Sequence, residues 1–182
     1  MPTILSHAVA ALGLGAAFFG RKAQARVLGL GAVCAVLPDA DVIGFPLGIR
    51  YGDVLGHRGL SHSLAFAAVL ATLVLPLARR KDDPEIGRAR LWAYLFTVTA
   101  SHGLLDAMTD GGLGIALLSP FDTTRYFFPF RPIEVSPIGA RFFSERGLAV
   151  IASEMMWVWA PSVVLAMLAW TATSPTPPDT RR

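Results

Sequence analysis

Five apolar stretches partition this chain, and nothing else in it constrains the fold as strongly. They run from about Ile4 to Gly20, Val27 to Leu37, Leu60 to Leu77, Leu91 to Met108 and Leu148 to Ala172. Hydrophobic residues make up 53% of the 182 positions and charged residues only 16%, against roughly 25% charged in a soluble protein. That balance excludes an ordinary soluble domain. It predicts an all-α integral membrane bundle of about five helices, one per stretch. Segment two is short for a span of about 20 residues. It extends through Val42-Ile43-Gly44-Phe45, tilts, or crosses only in part. Residues 1–173 read as one membrane-embedded domain, and the proline-rich 174–182 as a disordered tail.

The basic residues set an orientation. Arg21, Lys22 and Arg26, then Arg79, Arg80, Lys81, Arg88 and Arg90, then Arg181 and Arg182 all fall on one side of a five-span bundle. They are 10 of the 16 Lys and Arg residues, and the positive-inside rule makes that side cytoplasmic. Because they sit in short connectors and not along one face, they read as topology signals, and no nucleic-acid partner is expected. The first stretch has Arg21-Lys22 after it and no basic region before it. A cleaved signal peptide has the opposite order, so a retained span is expected. Cys34, the single cysteine, can form no intrachain disulfide and reads as a buried small hydrophobe.

Ionisable groups in an apolar chain are costly and therefore informative. His7 opens segment one. Asp39 and Asp41, in Pro-Asp-Ala-Asp, close segment two. His57 and His62 flank the start of segment three, and His102 and Asp106 lie in the last turns of segment four. With alternating helix directions, all of these fall in one layer near the outer membrane face. A lone histidine in an apolar helix is usually a hydrogen-bonded structural residue, and Pro-Asp is a common helix stop. All four histidines of the chain in one layer, with three aspartates, point instead to a metal site. Imidazole and carboxylate suit zinc and related divalent ions. His102 and Asp106, four apart, share a helix face, which Asp110 would continue. Ser6 and Ser61 read as N-caps, and Ser101 as a group that orients a ligand.

The seven candidate ligands are His7, Asp39, Asp41, His57, His62, His102 and Asp106, more than one tetrahedral ion needs. Two or more zinc ions fit the count, and paired metals suit phosphoester hydrolysis by an activated water. Asp41 is then a ligand or a general base. Arg58 is the expected phosphate contact, with Arg125 and Arg131 as further candidates. Those two arginines, with Arg141 and Arg146, equally suit lipid headgroups. Asp53 and Asp110 read as solvated or supporting groups. Glu154 faces the site or pairs with Arg146. The tryptophans of segment five read as interface and packing residues.

His7, Pro38-Asp39-Ala40-Asp41, His57-Arg58-Gly59-Leu60-Ser61-His62-Ser63 and His102-Gly103-Leu104-Leu105-Asp106 resemble the YdjM-like family. Ser119-Pro120-Phe121 and Pro129-Phe130 extend the resemblance, which covers roughly residues 1–170. The family comprises LexA-regulated bacterial inner-membrane proteins read as metal-dependent hydrolases. It is distantly similar to the zinc-dependent phospholipase C and single-strand nuclease superfamily. The resemblance implies a multi-pass inner-membrane protein that cleaves a phosphoester. Its expected partners are the bilayer and a lipid or lipid-linked phosphate, with the site on the periplasmic side, closed over by the loops 38–60 and 109–147. Two other classes use the same residues: a metal-ion transporter, and a non-catalytic membrane interaction protein with a structural metal. Spacing leaves the oligomeric state open.

Overall fold

A computed structural model of the protein describes residues 1–79, 86–137 and 142–173. The tail 174–182, Arg80, Lys81 and Arg141, each given a role above, lie outside the described residues. Helices α1 (Ile4–Phe19), α2 (Ala25–Val36), α3 (Leu64–Ala78) and α4 (Arg88–Ala107) are followed by α5 (Glu145–Glu154) and α6 (Ala160–Ala172). A π-helical turn over Met155–Trp159 joins α5 to α6, making one continuous rod. The five apolar stretches thus give five rods, and helices supply all the regular secondary structure of the described residues.

Three rods are long and apolar enough to cross a membrane: Ile4–Lys22, Ala25–Leu47 and Glu145–Ala172. Segment two reaches that length because α2 runs on into a 3₁₀ helix, Leu37–Leu47, which stops at Gly48 with φ of +84°. α3 is apolar but only 15 residues long. α4 has the length, at 20 residues, but carries Arg88, Arg90, His102 and Asp106. Five full spans therefore exceed what these helices support by length and composition. α4 is the rod that carries both core residues and site residues, His102 and Asp106.

The N-caps lie elsewhere than expected. Thr3 caps α1 through Ser6 N–H, and Ser63 caps α3 through Phe66 N–H. Ser6 and Ser61 point inward instead, to Glu154 and Asp41. Ser101 bonds back to the Val98 carbonyl and takes no part in orienting His102.

Small residues let the rods close. The Tyr94 side chain, fully buried, drives from α4 between α1 and α2 and donates to the Ala11 carbonyl at 3.2 Å. A Cβ on Gly31 would lie 2.0 Å from its hydroxyl oxygen. Around it pack Phe19, Val27, Leu70, Leu91, Leu95 and the buried Cys34. The segment 109–137 folds over one end of the bundle and is pinned there by backbone bonds. Ala116 N–H donates to Arg58, Leu64 N–H to Leu117, and Phe128 N–H to Ala107.

Gly31→Ala forces a methyl into Tyr94, an overpacking that costs about 1–3 kcal/mol. At Gly29 an added methyl would meet nothing within 4 Å beyond its own helix backbone, so Gly29→Ala enters open space. Thermal unfolding in detergent should fall for the first variant. For the second it should hold or rise, since Ala is favoured over Gly in a helix by about 1 kcal/mol.

Candidate metal centre

The hub of the polar layer is Asp106, in the last turn of α4 and without exposed surface. Arg58 Nε lies 2.9 Å from its Oδ2, His62 Nε2 lies 3.5 Å from the same oxygen, and His7 Nε2 lies 3.6 Å from Oδ1. One turn earlier on α4, His102 Nε2 stands 3.0 Å from His62 Nε2 and 3.3 Å from Asp39 Oδ1. His62 Nε2 is 3.7 Å from that Asp39 oxygen. Gly103 makes this closeness possible, because a Cβ there would lie 2.7 Å from the His62 carbonyl oxygen.

Hydrogen bonds decide which face each ring presents. His102 Nδ1 lies 2.6 Å from the Ala35 carbonyl, an acceptor, so Nδ1 carries the hydrogen and Nε2 presents its lone pair. His62 Nδ1 lies 3.3 Å from Asp41 Oδ2 and 2.9 Å from Ser61 Oγ, which sets the same tautomer. Two imidazole lone pairs then face each other at 3.0 Å, with two carboxylates alongside. Neither oxygen of Asp39 or Asp106, nor either nitrogen of His7, has a hydrogen-bond partner. Each unpaired buried polar atom costs about 1–3 kcal/mol. A cation held among Asp39, His62, His102 and Asp106 would relieve the carboxylate oxygens that face it.

The separations fit such an ion. In a tetrahedron with bonds of about 2.0–2.1 Å the ligand atoms stand about 3.3–3.4 Å apart. Among Asp39, His62, His102 and Asp106 the contacts are 3.0, 3.3, 3.5 and 3.7 Å. These four buried residues form one group that could hold a metal ion, and Asp41, His57 and His62 form a second. The second is already bonded internally. Asp41 Oδ1 takes His57 Nδ1 at 2.7 Å, and its Oδ2 accepts from Ser61 Oγ at 2.6 Å and Arg58 N–H at 3.2 Å. Asp41 thus stands one step behind His62. His7 stacks on His102, with ring centroids 3.7 Å apart. All seven expected ligands therefore lie in one connected cluster.

The arginines differ from their expected role as phosphate contacts. Arg58 has no exposed surface and sits at a φ of +62°. That left-handed backbone lets its N–H reach Asp41 while its side chain turns to Asp106. Its Nη1 donates to the Gly111 carbonyl at 2.8 Å and its Nη2 to Thr109 Oγ1 at 3.1 Å. A guanidinium engaged on three sides inside the protein is a clamp on Asp106. Arg125 donates to the carbonyls of His57 and Tyr51, each at 3.0 Å, and straps the two loops together. Arg131 is exposed and lies over the Phe127 ring at 4.8 Å.

Other groups had clearer destinations than the sequence suggested. Asp110 does not extend the α4 face, since the helix ends at Ala107. It accepts from Val135 N–H and pairs with Arg146 at 3.9 Å. Asp53 sits in a turn, accepting from Arg50 N–H at 2.9 Å. Glu154 is fully buried and accepts from Thr3 N–H, Thr3 Oγ1 and Ser6 Oγ, tying the α5–α6 rod to the start of α1 beside His7. Trp159 Nε1 donates to Ser6 Oγ at 2.7 Å. Sequence reasoning passed over Thr109, Gly111 and Tyr51. The Thr109-Asp110-Gly111-Gly112 run signals only a turn, and φ of +92° at Gly112 fulfils it. Tyr51 stands edge-on to His57 at 5.1 Å, and burial pushes its phenol pKa up.

A membrane bundle with a buried His/Asp cluster at its helix ends is the class this geometry defines. The chain belongs to the YdjM inner membrane protein family, whose model matches residues 1–176. It is 40% identical to the inner membrane protein YbcI of Escherichia coli K12 over 171 residues, covering 93% of this chain and 98% of that one. No solved structure matches it.

Removing the Arg58 clamp leaves Asp106 as a buried carboxylate without its cation. Arg58→Ala should destabilise the fold by about 3–5 kcal/mol, read as a lowered thermal midpoint in detergent. Arg131→Ala, which removes only a surface stacking contact, should leave it unchanged.

Proposed function

We propose that the protein is a membrane-bound zinc-dependent hydrolase acting on a phosphoester of a lipid or lipid-linked substrate. One observation carries this reading. Buried ligand atoms of four residues from three parts of the chain lie within 4.8 Å of one another, and the Asp39 and Asp106 oxygens make no hydrogen bond. Asp39, His62, His102 and Asp106 would hold the ion. A bound zinc supplies a Lewis acid and lowers the pKa of a water it holds. The protein's own part is to prepare the site. The Ala35 carbonyl and Asp41 fix the two rings with Nε2 inward, and Arg58 fixes Asp106. His7, without a hydrogen-bond partner at either nitrogen, places Nε2 3.6 Å from Asp106 Oδ1 beside the ligand set. The basic connectors support an outward-facing site, since by the positive-inside rule they favour a cytoplasmic position for the opposite bundle end.

Complete burial of four protein ligands also favours a second reading. Structural zinc sites are closed, whereas catalytic sites keep an open position. A structural ion in a non-catalytic protein therefore stands as the rival. The ligands lie at helix ends and not in mid-helix, which weighs against a transport site.

Elemental analysis of protein purified without added metal tests the site. Stoichiometric zinc is expected in the wild type and none in His62→Ala or Asp106→Ala. Equal metal in all three would overturn the site. Asp41→Asn should weaken metal affinity about 10–100-fold, as loss of a group orienting a ligand does, measured by competition with a chelating dye. Zinc-loaded protein is then assayed on phospholipids and soluble phosphoesters. Sustained turnover abolished by His62→Ala supports the hydrolase, and stoichiometric zinc without turnover supports the structural reading.

A further inference from the structure

The candidate centre is buried, and one of its residues borders the apolar exterior. Asp39 keeps 6% of its surface, and it lines two grooves. The first, of about 500 Å³, runs between α1 and α2. Ala8 and Ala32 lie among its lining residues, with Ile4, Val33, Val36 and Leu37 the larger ones. The second, of about 410 Å³, passes Pro2, Leu5, Val42 and Pro137. Ile4 and Asp39 belong to both, so the grooves meet at Asp39, whose carboxylate oxygens are buried directly behind the groove wall. Their volumes lie within the range of about 300–1,000 Å³ for small-molecule sites.

We infer that the α1–α2 groove seats one alkyl chain of a lipid whose polar head reaches Asp39. Four observations favour that occupant. Both flanking helices have the length and composition of membrane spans, so the groove lies where acyl chains are the solvent. Its walls are exposed apolar residues, with Ile4 at 55% and Val33 at 61%. Ile4 and Ala8, four apart, share one helix face, as do Ala32 and Val36 on α2. The groove borders Asp39, a residue of the ligand set, whose buried carboxylate oxygens make no hydrogen bond and whose Oδ1 lies 3.3 Å from His102 Nε2. A chain held here aims its headgroup at the ligand set. The lipid class rests on the phosphoester reading above, whereas seating of the chain is measured separately.

The test uses full-length protein in nanodiscs containing phosphatidic acid with a diazirine on one acyl chain. Peptide mass spectrometry locates the label after illumination. Groove residues should carry about five times the label of outward residues of α6, such as Val163 and Met167, a preference near 1 kcal/mol. Ala32→Trp, which fills the groove, should remove that excess and leave the α6 label and zinc content unchanged. Ala8→Phe provides the same test where the tryptophan prevents folding. Equal labelling of groove and α6, or an excess that survives both variants, overturns the inference. Turnover separates the two claims. If phosphoester hydrolysis is absent but the groove excess is present and lost on filling, the hydrolase reading fails and the lipid seat stands. If hydrolysis is present, Ala32→Trp should suppress it for long-chain substrates and spare a short soluble phosphoester.

Discussion

Everything in the polar layer depends on the Asp106 carboxylate, a charge placed without exposed surface at the end of a core helix. An ion in such a place is expensive unless neighbours compensate it. Arg58 does part of this from behind, and at the cost of a left-handed backbone residue. His62 and His7 approach from the front. Asp39 adds a second carboxylate to the same space. One guanidinium against the two carboxylates of Asp39 and Asp106 leaves a net negative charge that favours a bound cation. The Asp41 carboxylate is by contrast satisfied, with His57, Ser61 and the Arg58 amide around it.

The bundle is built to hold that arrangement still. Tyr94 and the glycines facing it fix α4 against α1 and α2, so His102 and Asp106 have defined positions. Glu154 fixes the entry of α1 by accepting from Thr3 and Ser6, and the next residue is His7. The π turn immediately after Glu154 belongs to this joint, since it shifts the register of the rod between Glu154 and Trp159, both of which reach Ser6. The loops contribute through Arg125, whose guanidinium gathers carbonyls from both and covers His57. Apolar grooves reach the ligand set at Asp39, where α2 gives way to the 3₁₀ helix.

The two readings of the cluster, catalytic and structural, share its geometry and differ in access. Burial of the four ligands argues for a closed site. The groove at Asp39 argues for an approach from the bilayer. On the proposed function, a lipid substrate would reconcile the two, because it would enter through apolar walls and exclude water.

Composition and spacing alone determined the helical membrane class, the five rods and the gathering of His7, Asp39, His57, His62, His102 and Asp106 in one layer. Those are consequences of apolar run length and of alternating helix direction, and both are local properties of the chain. The number of full spans was less legible, because α4 combines adequate length with buried polar residues that only its central position explains. The fate of the arginines was not legible at all. Arg58 stands beside His57 in the chain, which suggested a substrate contact. Its direction was decided by a positive φ and by Thr109 and Gly111, some fifty residues away. Glu154 likewise found its partners at Thr3 and Ser6 across the whole chain. Sequence patterns state which residues are too polar to be alone in a membrane. Which of them bind one another depends on side-chain directions and long-range packing, and only the tertiary structure decides those.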